Sequence, residues 1–304
     1  MYDVVIAGGG PAGLSAALML GRCRRHVLLC DTGQPRNIRS RELHGYLSRD
    51  GIAPVELLRI GREELRKYGI ELRQVAVASV ARRGDRFDVG LADGQQLEAR
   101  VVLLATGVHD HPPDIPGLAE CYGISVHHCP YCDGWEHRDK TIGVIGHGTS
   151  PAALALSLRS WSHHVVACTH GRIRIQPNQR KQLAAHGIPL FTNPIALIEH
   201  QDGYVRAIAF ADGQRVPCDA IFFSAPQSQQ CELAEQLGCE FTSKGTVKTD
   251  HLGNTCVEGI YVVGDASRDV QFVIVAAAEG AKAGVAINKA LQSRAGLTLE
   301  TALR

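Results

Sequence analysis

The feature that most constrains this chain is a glycine turn set between an apolar strand and a small-residue helix, which then occurs a second time. Val4 to Ala7 runs directly into Gly8-Gly9-Gly10-Pro11-Ala12-Gly13. A helix-forming stretch from Leu14 to Gly21 follows, and His26-Val27-Leu28-Leu29-Cys30 then ends in Asp31. Asp31 stands 18 residues past Gly13, close to the spacing of about 20 in a dinucleotide fingerprint. Each glycine has its own reason. Gly8 permits the tight turn, Gly10 lets the backbone approach a pyrophosphate, and Gly13 lets helix pack on strand. The helix N-terminus then faces the phosphates with unpaired N–H groups. The phrase returns 138 residues after Gly8: Ile142-Gly143-Val144-Ile145 leads into Gly146-His147-Gly148-Thr149-Ser150-Pro151, followed by a helix over 152–159 and a strand over 164–168.

Two Asp-Gly turns echo one another as well. Ala92-Asp93-Gly94-Gln95 precedes the apolar run 101–104, and Ala211-Asp212-Gly213-Gln214 precedes the run 220–223, each with the signature of a hairpin. The runs 101–107 and 259–265 read as buried parallel strands ending in glycine, beyond whose carboxyl ends ligands gather. Pro112-Pro113 and Pro116-Gly117 mark a crossing out of the first domain, the polar stretch 225–230 marks the return, and a last helix over 272–291 rejoins the first domain. The pattern predicts an α/β fold of two Rossmann-like three-layer nucleotide-binding domains, the second inserted in the first. Their expected bounds are 1–113 and 229–304 for the first and 114–228 for the inserted one, in keeping with 304 residues at roughly 150 per domain.

Charge excludes several partners. Lys+Arg 32 against Asp+Glu 31 leaves +1, so no strong field steers the chain to nucleic acid or an anionic membrane. No window of about 18 apolar residues is present, so no membrane span is expected. Met1 leads at once into the first strand, without a basic leader, which gives a cytoplasmic protein as the expectation. Ten cysteines in 304 residues are too sparse for a secreted disulfide scaffold. In a reducing compartment most are expected to be buried free thiols, with Cys129 and Cys132 as a pair close enough to be chemical. Two cysteines separated by two residues, at a turn opening a helix, close a small disulfide and reopen it, the helix N-terminus and nearby donors stabilising one thiolate. A zinc knuckle lacks its second C-x-x-C, and a pair of buried structural thiols is the other reading. For His127 and His128 two readings stand, tuning of the thiols and plain packing.

In this order the pieces resemble the thioredoxin-reductase-like flavoproteins of the pyridine nucleotide–disulfide oxidoreductase superfamily. The likeness covers nearly the whole chain and rests on Gly8 to Gly13, Ala105-Thr106-Gly107, Cys129-Pro130-Tyr131-Cys132-Asp133-Gly134 and Gly264-Asp265. The resemblance implies FAD in the first domain, with Gly8, Gly10 and Gly13 at its pyrophosphate, Asp31 near the adenosine ribose, Asp265 at the ribityl chain and Gln271 by the isoalloxazine ring. Thr106, Gly107 and Gly264 join that cofactor set. It further implies Cys129 as the outer thiol that exchanges with substrate, Cys132 as the inner one that reacts with flavin, and Asp133 as the general acid that protonates a departing thiolate. Arg36-Asn37 with His44-Gly45 look like the subgroup of dithiol oxidases of fungal toxin pathways and their bacterial relatives that do not use NADPH, and these residues too are expected at the flavin. No metal site is expected.

The second glycine loop departs from an NADPH site. Pro151 stands at its third small position, bringing no N–H and adding bulk. NADPH-using relatives carry a His-Arg-Arg run after the following strand, whereas this chain reads Thr169-His170-Gly171-Arg172-Ile173-Arg174. Gly146, Gly148, Arg172 and Arg174 are left as a second nucleotide site for a second FAD or weakly bound NADP. The resulting expectation is an FAD-dependent dithiol/disulfide oxidoreductase with little use of NADPH. Its redox partner is reduced ferredoxin, a second flavin, a dithiol or oxygen. Thioredoxin or a small dithiol is the exchange partner, and a homodimer is the expected assembly. The alternatives are an ordinary NADPH-dependent thioredoxin reductase and a flavin-binding redox sensor.

Overall fold

The computed structural model describes residues 1–146, 150–171, 175–224, 226–268 and 270–297. Gly148, Arg172 and Arg174 of the expected second nucleotide site lie outside these described residues. The chain folds as two compact units, one of Met1–Ile38, Tyr46–His109 and Ser228–Arg304, the other of Arg39–Gly45 and Asp110–Gln227.

The first unit begins with β1 (Tyr2–Ala7), α1 (Pro11–Arg22), β2 (Val27–Cys30), α2 (Pro54–Leu65), β3 (Glu71–Arg73), β4 (Val77–Arg83), β5 (Arg86–Leu91) and β6 (Gln96–Leu104). β7 (Val108–Asp110) crosses into the second unit, which contains α3 (Leu118–Cys121), β8 (Val126–His127), α4 (Pro130–Asp133), β9 (Ile142–Gly146), α5 (Ser150–Leu158), β10 (Val165–Cys168), α6 (Pro177–Ala185), β11 (Leu190–Phe191), β12 (Ile195–Gln201), β13 (Tyr204–Phe210), β14 (Arg215–Pro217) and β15 (Ala220–Ser224). β16 (Gln227–Gln229) returns, and α7 (Leu233–Gln236), β17 (Ile260–Val262) and α8 (Val273–Arg294) complete the first unit.

The two units repeat one design. In the first, β3-β2-β1-β6 run parallel, β17 pairs with the C-terminal half of β6, and β5 and β4 continue antiparallel from its N-terminal half. In the second, β11-β10-β9-β15-β8 are parallel, and β12-β13-β14 form a separate antiparallel sheet. Side-chain alternation builds a core on each face of the first parallel sheet. Val4 and Ile6 pack with α1 and α8, while Val5 and Ala7 pack with Phe87 and Val89 of β5. Ile142 and Val144 likewise face α5, and Ile145 faces the antiparallel sheet. The Asp-Gly echo holds with one difference. β6 runs unbroken, whereas its counterpart stops at Pro217 and resumes as β15, because proline has no N–H to give a ladder.

The compact units differ from the expected bounds in two places. The second unit spans 110–227 rather than 114–228, because His111 N–H already donates to Pro226 O (3.0 Å), ahead of the Pro112-Pro113 pair. It also takes in Arg39–Gly45, which sequence order assigns to the first domain. That stretch is held by Arg39 Nη1 donating to Ala119 O (3.0 Å) and Arg41 Nη1 donating to Tyr204 Oη (2.7 Å). No helix among the described residues is long and apolar enough to cross a membrane.

Candidate functional site

The first glycine turn is built as its spacing requires. Gly8 has φ +109°, and a Cβ there would lie 2.2 Å from Ala105 O; a Cβ on Gly13 would lie 1.9 Å from Gly8 O. Strand, turn and helix touch backbone to backbone at these two positions. Gly10 is different: a Cβ there meets nothing within 4 Å, so its outer side is open. It is also the N-cap of α1 and makes no side-chain cap bond, which leaves the first N–H groups of a 12-residue helix for an anion. Asp31 lies against the same turn, since a Cβ on Gly9 would stand 2.6 Å from its carboxyl carbon. Arg62 Nη2 donates to Asp31 Oδ2 (2.7 Å), and the other oxygen can accept a sugar hydroxyl. An open backbone cradle with an acid beside it fits the pyrophosphate and ribose of a dinucleotide.

Distant residues join this cradle. Arg36 Nη1 donates to Asp265 Oδ2 (2.9 Å) and to Gln271 Oε1 (2.7 Å), across 229 and 235 residues of sequence. Gly264 N–H donates to Glu279 Oε2 (3.0 Å), and Arg268 pairs with the same carboxylate. Gln271 directly precedes Phe272, the N-cap of α8, which has no side-chain cap either. Gly107 (φ +72°) is open on its Cβ side, next to the half-buried Thr106, and Asn37 is half-buried in the turn after Pro35. His44, expected with this group, belongs to the second unit instead, where its Nε2 lies 3.5 Å from Glu136 Oε1 and 3.7 Å from Glu42 Oε2.

In the second unit Cys129 and Cys132 are joined by a disulfide. Cys129 is the N-cap of α4 and Pro130 its first residue, where a fixed φ and a missing N–H cost nothing. Gly134 is required after the turn, because a Cβ would sit 2.4 Å from Pro130 O and 2.9 Å from the Trp161 ring. The helix opened by the pair is one turn long, continuing as a 3₁₀ turn over Trp135–His137, so a helix dipole contributes less to a thiolate here than the sequence implied. Tyr131 (71% exposed) and Trp135 (65%) stand out beside the sulfurs, with Trp161 edge-on to Tyr131.

The ionisable neighbours of the pair come from three elements. Asp133 Oδ1 lies 3.2 Å from Nδ1 of His127, at the end of β8, and Nε2 of His127 is hydrogen-bonded to Nε2 of His137 at 3.0 Å. His128 turns elsewhere, its Nδ1 3.1 Å from Tyr122 Oη. His137 gave no signal in the sequence, because it is a lone histidine outside any spacing motif. Burial, the His127 ring and Lys140 keep it neutral, lowering its pKa from 6.5 to about 4. The unfolded chain takes up this proton near 6.5, so the contribution is fully present above that pH and is lost as pH falls toward 4. At pH 5 the loss from this group is about 2 kcal/mol. Denaturant unfolding at about pH 7.5 and about pH 5 checks this prediction; His137→Phe is expected to lose that part of the pH dependence, and equal dependence in both proteins would refute it.

Of the remaining cysteines, Cys30, Cys121, Cys168, Cys218 and Cys239 are buried and free, Cys231 is half-buried, and Cys23 and Cys256 are exposed. Burial pushes the Cys30 and Cys121 thiols up to about 11, which keeps them unreactive near neutral pH. Among the described residues no cluster of three or more His, Cys, Asp or Glu is placed to hold a metal.

Similarity to known proteins runs along nearly the whole chain. The sequence profile of the pyridine nucleotide-disulphide oxidoreductases matches residues 2–280. The thioredoxin reductase sirT of Leptosphaeria maculans is 31% identical, over 95% of this chain and 94% of that protein. The crystal structure of HlmI is 37% identical with a TM-score of 0.94, over 97% of this chain and 94% of that one. An oxidoreductase from Agrobacterium tumefaciens is 34% identical with a TM-score of 0.90, over 96% and 99%. The chain belongs to the pyridine nucleotide-disulphide oxidoreductases and is a thioredoxin-reductase-like, flavin-dependent disulfide oxidoreductase.

Proposed function

We propose that the protein passes electron pairs between FAD and the Cys129–Cys132 disulfide, and from that pair to an external thiol or disulfide, with little use of NADPH. The observation that carries this reading is the Cys129–Cys132 disulfide at a half-buried turn, flanked by Asp133 and His127, in a chain whose first unit keeps an open glycine cradle. The first unit is the FAD domain. Gly8, Gly10 and Gly13 hold the pyrophosphate, Asp31 the ribose, and Arg36, Asn37, Thr106, Gly107, Gly264, Asp265 and Gln271 the rest of the cofactor. Bound there, FAD supplies two-electron exchange with a disulfide. Cys129 exchanges with substrate, Cys132 reacts with the flavin, and Asp133 gives a proton to the departing thiolate. Thioredoxin or a small dithiol is the partner, in a cytoplasmic homodimer.

Two features of the second unit support weak NADPH use. Pro151, in the first turn of α5, removes an N–H from the phosphate side. His170, after β10, stands where the relatives' His-Arg-Arg run begins but is followed by Gly171, and its Nδ1 accepts the Ile195 N–H (2.9 Å). Charge-assisted Arg contacts to phosphate contribute about 1.5–3 kcal/mol each, so losing two weakens binding by roughly 100-fold or more. Anaerobic stopped-flow mixing of the oxidised holoenzyme with NADPH, NADH, a dithiol and reduced ferredoxin tests the reading through flavin bleaching. Bleaching by the dithiol or ferredoxin, with NADPH slow at micromolar concentration, is expected. Rapid bleaching by micromolar NADPH would make the protein an ordinary NADPH-dependent thioredoxin reductase. Reduction that stops after one equivalent with every donor would make it a flavin redox sensor.

A further inference from the structure

Three ionisable side chains stand in line beside the disulfide turn, each from a different element: Asp133 at the end of α4, His127 at the end of β8 and His137 in the 3₁₀ turn. The contacts are 3.2 Å from Asp133 Oδ1 to His127 Nδ1 and 3.0 Å from His127 Nε2 to His137 Nε2. Both imidazoles are buried, at 7% exposure each, and Phe222 of β15 packs on both rings. The other charged groups facing His137 are Lys140 and Asp219. The far nitrogen of His137, Nδ1, is buried with no hydrogen-bond partner.

We propose that Asp133, His127 and His137 form a buried proton relay for the Cys129–Cys132 pair, in which Asp133 exchanges the proton with sulfur while His127 and His137 are positioning residues that receive and return it. The proposal rests on the thiol–disulfide function given above. Its logic is that of hydrogen placement. An N···N bond of 3.0 Å holds one hydrogen, so one ring donates and the other accepts. For Asp133 to hand a proton to His127, Nδ1 of the neutral ring must be the acceptor, so His127 carries its hydrogen on Nε2 and donates it to Nε2 of His137, whose own hydrogen is on Nδ1. Adding one proton at His127 Nδ1 leaves the central bond in place: His127 becomes an imidazolium bonded to Asp133 on one side and to His137 on the other. The central bond survives in both states. Two apolar residues against Phe222 would pack without leaving a buried nitrogen unpaired, which is a cost that simple packing does not explain.

The exchange step then balances. The reduced pair starts as Cys129 thiolate and Cys132 thiol, with one proton held in the relay. The Cys129 sulfur bonds to one sulfur of an external disulfide RSSR, the R–S–S–R bond breaks, and the departing RS⁻ takes the relay proton from Asp133. Cys132–SH next gives its proton to Asp133 as its sulfur bonds to that of Cys129, and the second RS⁻ leaves and is protonated in turn. Two electrons pass from the pair to RSSR, giving the protein disulfide and two RSH.

The relay is needed only when the leaving thiolate is basic, and this sets the test. Reduced holoenzyme, freed of excess reductant, is mixed with either hydroxyethyl disulfide, whose alkyl thiolate needs a proton, or dithiodipyridine, whose leaving group does not. His137→Phe and His127→Asn, the latter keeping an N–H toward Asp133 that does not titrate, are expected to slow exchange with hydroxyethyl disulfide by roughly 10- to 100-fold. Exchange with dithiodipyridine is expected to stay within about 2-fold. Equal slowing with both probes, or none with either, overturns the relay. Nitrogen-15 NMR of histidine-labelled wild-type protein needs no variant: opposite tautomers on the two rings are expected, and the same tautomer on both overturns the proposal. Probe selectivity in a protein that binds no FAD would leave the relay standing and overturn the flavin reading instead.

Discussion

Cys132→Ser is expected to bind FAD as fully as the wild type and to lose thiol-coupled turnover by about 10³-fold or more. A two-electron exchange with a disulfide needs two sulfurs, and a serine hydroxyl neither forms the S–S bond nor leaves as a thiolate. The variant also separates the roles of the two cysteines. Cys129, left as a single thiol on a half-buried turn, is expected to attack an external disulfide and stall as a mixed disulfide that mass spectrometry locates. Cys129→Ser is expected to form no such adduct. Stable adducts on Cys132 but not on Cys129 would reverse the assignment, and turnover retained in Cys132→Ser would remove the pair from the reaction altogether.

The second large effect separates two glycines three residues apart. In Gly13→Ala the new methyl would stand 1.9 Å from Gly8 O, so helix α1 must move off the turn. A destabilisation of about 3 kcal/mol is expected, together with loss of FAD. Gly10→Ala puts the same methyl where no protein atom lies within 4 Å, on a backbone with φ −73° that alanine adopts freely. The apoprotein is expected to unfold at the wild-type temperature. FAD affinity is expected to fall roughly 10- to 100-fold, about 1.4–2.8 kcal/mol, because the methyl occupies the space meant for the pyrophosphate. Thermal unfolding of the apoproteins with FAD titration by calorimetry decides it. Unchanged FAD binding in Gly10→Ala would show that the pyrophosphate does not lie on that side of the turn.

The fold was legible because its signals are local. A continuous apolar run such as 101–104 can satisfy both faces only inside a parallel sheet, and a glycine at the end of β1 with another at the third position of α1 leaves one way for strand and helix to meet. The edges of the compact units carry weaker local signals. Arg39–Gly45 carries no period and no apolar face, so sequence order alone assigned it to the first domain, whereas the long reach of Arg39 and Arg41 ties it to the second.

The sequence by itself determined which chemistry this protein carries: a strand–glycine–helix unit occurring twice, and two cysteines at a spacing that only a tight turn can close. These are short-range constraints, set by backbone sterics within a few residues. Tertiary structure alone decided which distant side chains meet one another. Arg36 meets Asp265 and Gln271 across more than 200 residues. His137 becomes the partner of His127, while His128, its neighbour in sequence, turns to Tyr122. β8 ends at His127 and the chain bends at His128, so the adjacent histidines part company, and only the packing of β8, α4 and the 3₁₀ turn beside β15 brings the distant one within a hydrogen bond.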